Sequence, residues 1–258
     1  IMYKRIIASL LLDKKKLVKG INFKNHKIVG FPRTYCKSLG SQMIDEIFIC
    51  DLNSYNDSRI IPDYKTLSEV SSSTMTPLTF GGGLNTLDRI KLSFNSGSDK
   101  VYLSSILHTN ISLVEQTAKI YGSQSIVASI DVKIDNENVY NAYINGGKKK
   151  VLIKLNDYIK KIEDLGAGEL LINNIDKDGM ANGYDLRLLK LIKKTTKLPI
   201  IFAGGVGKFD DFVVGIENNL NAIAAGNIFH YTENSYYQAI KFLYENKCNT
   251  RPPILNVF

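Results

Sequence analysis

Three carboxylates stand at or just beyond the ends of apolar, β-branched segments. Asp131 lies in the segment SIVASIDV, Asp51 ends EIFICD, and Asp178 comes shortly after ELLINNI. The carboxyl ends of parallel strands are the usual location of active sites in βα barrels. A carboxylate placed there can act as a general acid or base. These three carboxylates are therefore candidates for chemistry at this edge of the fold.

Glycine clusters follow two further apolar segments, PLTF (77–80) and PIIFAG (199–204). Glycine lets backbone N–H groups approach an anion closely, and the helix that follows adds its positive N-terminus. Small residues end the next apolar segment in each case. We expect these loops to bind phosphate groups, although tight strand-to-helix turns would also require glycine. The glycines and small residues are Gly81, Gly82, Gly83, Ser104, Ser105, Gly204, Gly205, Gly207, Ala225, Gly226 and Asn227.

Eight short apolar segments recur along the chain at nearly regular spacing. Most are too apolar for one-sided strands, which is typical of parallel strands that are covered on both faces. Helical patterns lie between them, for example at 111–122 and 186–196. Eight strands alternating with helices predict an α/β fold, namely a single (β/α)₈ TIM barrel over residues 1–258. The alternative, an open doubly wound sheet, usually needs fewer strands. The segments are 5–12, 46–52, 77–80, 100–105, 125–132, 169–175, 199–204 and 221–226.

The two halves of the chain resemble each other. IIASLLL at 6–12 aligns with IVASIDV at 126–132, and DEIFI at 45–49 aligns with GELLI at 168–172, at offsets of 120 and 123 residues. Two further blocks align at offsets between these values. The barrel is therefore predicted to consist of two half-barrels, about 1–120 and 121–258, with one anion site in each half.

Composition excludes several classes of function. The net charge is +8, but the lysines are scattered and no nucleic-acid-binding motif accompanies them. No apolar segment is long enough to span a membrane, and the short N-terminal one does not fit a secretory signal, so we expect a cytoplasmic protein. The three cysteines and three histidines show neither disulfide nor metal-ligand spacing, and we expect no metal and no cofactor.

The sequence resembles the HisF family, the cyclase subunits of imidazole glycerol phosphate synthase. The resemblance covers nearly the whole chain and rests on KRII, LVKGINF, DEIFICDLN, FGGGL, DKVYLSS, YGSQSIVASIDVK and, most specifically, GAGELLINNIDKDGMANGYD at 166–185. It implies a phosphorylated ligand bound at the glycine loops and at Asp178 and Gly179. It also implies a partner glutaminase that docks on the amino-terminal face and releases ammonia into the barrel.

The resemblance also implies roles at the barrel floor and at the mouth. Asp99 matches a residue of the glutaminase interface, and Lys19, in the predicted loop after strand 1, matches a mobile lysine that covers the substrate. Four charged residues match the ring that gates ammonia entry, although such a ring could equally be a structural plug. The ring consists of Arg5, Glu46, Lys100 and Glu169.

One catalytic position departs from the family. The family uses carboxylates at the ends of strands 1 and 5, and the internal repeat places Leu11 opposite Asp131. Asp13 is two residues further on, but DKKK is predicted to be a loop, so Asp13 is not expected to substitute. The site also differs at Ser104–Ser105, at Ala225–Gly226, and at Asn173 and Ala203, where the family has Thr and Ser.

Three hypotheses follow. The preferred one is a HisF-like subunit that receives ammonia and serves a sugar amidotransferase, with a phosphorylated or nucleotide sugar as ligand. The reason is that HisF-like proteins with a Leu-Leu-Leu strand 1 resemble those of systems that install acetamidino groups on sugars of surface polysaccharide or flagellin. The second is a genuine imidazole glycerol phosphate synthase cyclase in histidine biosynthesis. The third is a barrel without catalysis that activates the glutaminase.

Overall fold

The computed structural model describes residues 3–57, 59–230 and 234–254. Eight parallel strands close into a barrel, as predicted. In chain order they are β1 (Arg5–Asp13), β4 (Glu46–Asp51), β5 (Leu78–Gly81), β6 (Lys100–Leu103), β7 (Ile126–Ile134), β10 (Glu169–Asn174), β11 (Ile200–Ala203) and β12 (Ala222–Ala225). Closure is direct, because β1 pairs in parallel with both β12 and β4, while β7 pairs in parallel with β6 and β10.

Helices surround the barrel. They are α1 (Pro32–Ser41), α2 (Leu52–Asn56), α3 (Tyr64–Ser71), α4 (Leu87–Asn95), α5 (Ile106–Thr109), α6 (Ile111–Tyr121), α7 (Leu155–Asp164), α8 (Leu186–Thr195), α9 (Phe209–Glu217) and α10 (Ser235–Glu245). The helices predicted at 111–122 and 186–196 correspond to α6 and α8. In α8, Asp185 caps the first turn, and Leu188, Leu189 and Ile192 form the buried face. None of the helices within the described ranges is long and apolar enough to cross a bilayer.

The strands are buried on both faces, which explains their nearly continuous apolar sequences. The outward-facing side chains pack beneath the helices in the larger of two buried clusters. The inward-facing side chains form a separate cluster inside the barrel, in which the rings of Phe48 and Tyr102 stack with their centroids 6.4 Å apart. This inner cluster separates the charged barrel floor from the mouth.

Two antiparallel hairpins extend β1 and β7 beyond the barrel. The first consists of β1, β2 (Lys16–Ile21) and β3 (Lys24–Gly30), and the second of β7, β8 (Tyr140–Ile144) and β9 (Lys149–Lys150). Positive φ angles at Lys14 and Lys15 make a two-residue turn directly after β1. The prediction of a loop at DKKK was therefore wrong for Asp13, which belongs to β1, and Lys19 lies in strand β2 rather than in a loop.

The hairpins follow equivalent strands of the two halves, and each crosses the mouth to the opposite half. In the first, the backbone N–H of Phe23 donates to Asp178 Oδ2 (3.1 Å), and Asn227 Nδ2 donates to Gly20 O (3.2 Å). In the second, the backbone N–H of Asn145 donates to Ser105 Oγ (3.2 Å). The internal repeat of the sequence is thus also present in how the hairpins dock.

Candidate active site at the barrel mouth

A cavity of about 280 Å³ opens at the carboxyl ends of the barrel strands. It extends inward to the Phe48–Tyr102 pair and outward to the first hairpin. Its wall combines the carboxyl-terminal parts of β1, β7 and β10 with loops of the second half, with helix α2 and with the second hairpin. Among the residues that line it are Leu11, Asp131, Asn173, Gly204 and His230. This cavity is the candidate active site.

Asp131 is the buried carboxylate of the cavity, with only 2% of its surface exposed. Tyr55 Oη donates to its Oδ2 (2.5 Å), and Asn173 Nδ2 donates to its Oδ1 (3.1 Å). Burial raises the pKa of Asp131 to about 6, although both hydrogen bonds favour the charged form. A carboxyl group with this pKa is well suited to accept a proton near neutral pH.

Leu11 occupies the position equivalent to Asp131 in the first half and lines the same cavity. The register supports this equivalence, because Leu11 pairs with Cys50 of β4 just as Asp131 pairs with Asn173 of β10. A polar pair in the second half therefore corresponds to an aliphatic side chain and a thiol in the first. Burial raises the pKa of Cys50 to about 12, so this thiol stays protonated.

Asp13 does not replace the missing carboxylate. It lies on the same side of β1 as Leu11, but it is two residues further out and is not among the residues that line the cavity. With the Asn53 amide oriented to satisfy both neighbours, that amide donates to Asp13 Oδ1 (3.0 Å) and accepts from the backbone N–H of Lys14. The Asp13 side chain is thus hydrogen-bonded at the rim of the barrel mouth, outside the cavity.

The other two carboxylates singled out in the sequence have structural partners. Asp51 caps α2 and accepts three backbone N–H groups, including that of Asp63 at 2.8 Å, and it is 2% exposed. Asp178 lines the cavity and anchors the first hairpin through Phe23. Burial raises the pKa of Asp178, while the Phe23 N–H counteracts this effect. Of the two, Asp178 is the one that faces the candidate site.

The second-half glycines line the cavity. Gly204 and Gly205 have φ angles of 98° and 105°, and Gly179, Gly226 and Asn227 also face the cavity. A Cβ on Gly205 would lie 2.3 Å from a backbone oxygen, so close packing requires glycine here whether or not an anion binds. What points to an anion is the combination of these glycines with an open cavity.

The first-half glycines have the same backbone but different surroundings. Gly82 and Gly83 also have positive φ angles, of 102° and 65°. Neither they nor Ser104 and Ser105 are among the residues that line the cavity. Ser104 is buried, and Ser105 Oγ donates to Asn145 Oδ1 of the second hairpin (3.2 Å). The two predicted anion sites are therefore not equivalent in the folded chain.

The four predicted gate residues come together at the amino-terminal end of the barrel. Arg5 contacts Glu46 and Glu169 at 2.6 Å each, and Lys100 contacts the same carboxylates at 3.3 and 2.9 Å. Burial would raise the pKa of Glu169, but the hydrogen bond and charge of Arg5 and the charge of Lys100 lower it overall. The four side chains form a closed ring of alternating charge.

Asp99 lies next to this ring, at the exposed amino-terminal face. Its Oδ2 accepts the backbone N–H of Leu78 (2.8 Å), which ties the start of β6 to β5. Lys19 is far from this face, on the first hairpin, where its charge contributes to lowering the pKa of His230. The structure thus separates the predicted partner face from the predicted substrate face by the length of the barrel.

Two cavity residues were missed by the sequence analysis. Tyr55 lies in the short helix α2, and its segment LNSYN shows no pattern that distinguishes it. His230 lies in a turn after β12, where burial lowers its pKa to about 4, and its Nδ1 has no hydrogen-bond partner among the described residues. Within the described ranges no group of three or more His, Cys, Asp or Glu side chains could hold a metal ion.

Comparisons with known proteins agree with this architecture. The family model described as "Histidine biosynthesis protein" matches residues 5–235. The chain is 34% identical over 249 residues to a protein of Alkaliphilus metalliredigens and 37% identical over 250 residues to one of Clostridium botulinum. Each alignment covers 96% of this chain and 98% of the relative. Both relatives are named "Imidazole glycerol phosphate synthase subunit HisF".

Proposed function

Because the chain belongs to the HisF family of histidine biosynthesis proteins, we propose that it is a synthase subunit that receives ammonia from a partner glutaminase through the barrel. Ammonia reacts at the mouth with a phosphorylated ligand, and Asp131 acts there as the general base. The finer proposal is that this subunit serves a sugar amidotransferase and that the ligand is a phosphorylated or nucleotide sugar. The observation that carries the proposal is Leu11, which faces the cavity opposite Asp131.

Leucine cannot transfer a proton or hold a charge, so a reaction that needs two carboxylates loses one of them. General acid–base catalysis typically contributes about 10² to 10⁴ in rate. Asp131 keeps two hydrogen-bond donors and a pKa of about 6, so it can still accept a proton in a different reaction. This combination favours changed chemistry at the mouth.

The intact floor supports the ammonia-receiving part of the proposal. Arg5 and Lys100 neutralise two carboxylates that would otherwise be unpaired, so the ring is stable when closed. The longer contacts of Lys100 make it the member that can leave the ring most easily. Asp99 at the exposed face next to the ring would contact the glutaminase.

The alternative is a genuine imidazole glycerol phosphate synthase cyclase. It is favoured by the names of relatives that share 34% to 37% of residues over 96% of this chain. It requires that the reaction proceed with Asp131 alone.

One experiment separates these functions. The protein is supplied with ammonium and the bisphosphorylated ribulosyl substrate of the cyclase, which bypasses the glutaminase. We expect turnover at least about 10²-fold below that of a two-carboxylate relative, and partial recovery in Leu11→Asp. Leu11→Asn is the matched control, because it adds polarity without a proton-transfer group. Near-normal turnover by the unaltered protein would establish the cyclase instead.

A second experiment addresses the partner. Glutamine hydrolysis by a HisH-type glutaminase should rise when this protein is added, and the two should co-elute on a sizing column. Asp99→Arg should weaken the complex. Stimulation without any reaction at the mouth would favour the third hypothesis, a barrel that only activates the glutaminase.

A further inference from the structure

The mouth is symmetric in its backbone but not in the space that it leaves open. The cavity reaches the glycine loop of the second half at Gly204 and Gly205, and does not reach the equivalent Gly82 and Gly83. Both loops have the same pair of positive φ angles. The difference therefore lies in the side chains around the loops.

Tyr55 is the side chain that distinguishes the two halves. The offset of 123 residues between β4 and β10 carries Tyr55 onto Asp178. Asp178 lies beside Gly179 and leaves the second-half loop open to the cavity. At the equivalent place in the first half stands a phenol ring, which is much longer than a carboxylate.

The contacts of Tyr55 show where its side chain lies in the first half of the barrel. Its own helix touches the first-half loop, because Ser54 Oγ donates to Gly82 O (3.0 Å). Its hydroxyl donates to Asp131 Oδ2 on the far side of the mouth, so the ring extends from α2 toward the end of β7. The ring thus lies between the first-half glycines and the cavity.

The second hairpin closes the same region from above. A Cβ at Gly146 would lie 3.5 Å from Tyr55 Cε1, so this turn rests on the tyrosine ring. The neighbouring Asn145 engages the Ser105 hydroxyl through both its side-chain oxygen and its backbone N–H. An anion at the first-half loop would need to displace both the ring and the turn.

From this geometry we infer that the mouth takes a ligand with a single phosphate, bound at the second-half loop, and that Tyr55 is the residue that excludes a second phosphate. The inference rests on the proposed phosphorylated ligand and narrows its class. The end of the ligand opposite the phosphate faces the polar side chains of Tyr55, Asn56 and Lys148.

The test counts bound anions by using inorganic phosphate as the probe. Crystals grown without phosphate or sulfate are soaked in phosphate, and occupancy is compared at the two glycine loops. We expect one phosphate, at Gly204, Gly205 and Gly226, in the unaltered protein. Tyr55→Ala removes the ring and with it the support of the turn at Gly146, so it should bind a second phosphate at Gly82 and Gly83, whereas Tyr55→Phe, which keeps the ring, should bind one.

Three outcomes would overturn the inference: phosphate at the first-half loop of the unaltered protein, no phosphate at its second-half loop, or equal occupancy in Tyr55→Ala and Tyr55→Phe. If Tyr55→Ala fails to fold, the first two outcomes still decide. Phosphate counting involves neither ammonia nor turnover, so a negative result here is distinct from a failure of ammonia transfer or of chemistry at Asp131.

Discussion

Tyr55 Oη donates to Asp131 Oδ2 at 2.5 Å, which joins the helix after β4 to the end of β7 across the barrel mouth. The phenol is a permanent donor in this pair. Burial, followed by the nearby charge of Asp131, raises the pKa of Tyr55 well above 10. The hydrogen bond therefore stabilises the charged form of Asp131 and holds its carboxylate in one orientation.

Removing this donor should raise the pKa of Asp131. In Tyr55→Phe the carboxylate loses its closest hydrogen bond while burial stays the same, so its pKa should move above the present value of about 6. The measurement is a ¹³C NMR titration of the Asp131 carboxyl carbon. Tyr64→Phe is the control, because Tyr64 donates to Arg89 O (2.9 Å) instead. An unchanged titration in Tyr55→Phe would contradict this account.

Protein stability should fall as the pH rises through the pKa of Asp131. The pKa is raised from 3.8 to about 6 in the fold, so between these values the folded protein binds more protons here than the unfolded chain. Above pH 6 the buried charge costs up to about 3 kcal/mol, which corresponds to about two pKa units. Urea unfolding should therefore show that Asp131→Asn gains stability relative to the unaltered protein above pH 6, and that the gain disappears below pH 4.

Asp135→Asn provides a control of opposite sign. Backbone N–H donation from Val139 lowers the pKa of this partly exposed carboxylate despite an opposing effect of desolvation. Its stabilising contribution is present at neutral pH and is lost in acid. Asp135→Asn should thus be less stable than the unaltered protein at pH 7, with a difference that shrinks in acid. If both variants showed the same pH dependence, the assignment to Asp131 would be wrong.

The barrel could be predicted from the sequence because its strands are buried on both faces. Segments such as PIIFAG are continuously apolar and show no alternation of polar and apolar residues. The predicted strand at 199–204 contains the observed strand Ile200–Ala203. The hairpin strands β2 and β3 lack this signal. Five of the seven residues of KNHKIVG are polar or glycine, so the sequence pattern does not distinguish this strand from a loop.

The candidate site was predictable only where the internal repeat or the resemblance reaches it. The repeat places Leu11 opposite Asp131, and the ring of Arg5, Glu46, Lys100 and Glu169 comes together as the resemblance implies. The closed first-half loop was not predictable. It depends on where the ring of Tyr55 lies within a five-residue helix, and on the hairpin turn at Gly146, which is distant in the sequence.

Asp178 should control how firmly the first hairpin is held over the mouth. Its carboxylate accepts the Phe23 N–H and its backbone oxygen accepts the Asn22 N–H (3.0 Å). Asp178→Ala removes the first of these bonds, so cleavage by trypsin at the exposed Lys24 and Lys27 should become several-fold faster.

Asp176→Ala is the matched control for this prediction. Asp176 Oδ2 accepts the backbone N–H of Ile134 (2.8 Å), which lies at the start of the other hairpin. Its loss should leave cleavage at Lys24 and Lys27 unchanged. Equal acceleration in both variants would indicate general loosening of the loop after β10 rather than release of one hairpin.

The charge ring should be a large local contributor to stability, because its carboxylates are hardly exposed. The side chain of Glu46 is 3% exposed, and that of Glu169 is 14% exposed. Arg5→Ala leaves Lys100 as the one cation of the ring for the two carboxylates, so about one negative charge in the barrel floor is not neutralised. Removing one partner of a buried pair costs about 3–5 kcal/mol, and partial exposure of Arg5 places this case at the lower end.

Arg5→Met separates charge from packing, since it keeps an aliphatic stem but not the guanidinium. Urea unfolding of both variants should show similar losses of about 3 kcal/mol if stranded charge dominates. Lys241→Ala breaks an exposed pair with Glu245 at 4.0 Å and should cost less than about 0.5 kcal/mol. Removing charge from both sides at once, as in Arg5→Met with Glu169→Gln, should recover stability relative to Arg5→Met. If the double variant is no more stable than the single one, the ring is held by packing and not by charge balance.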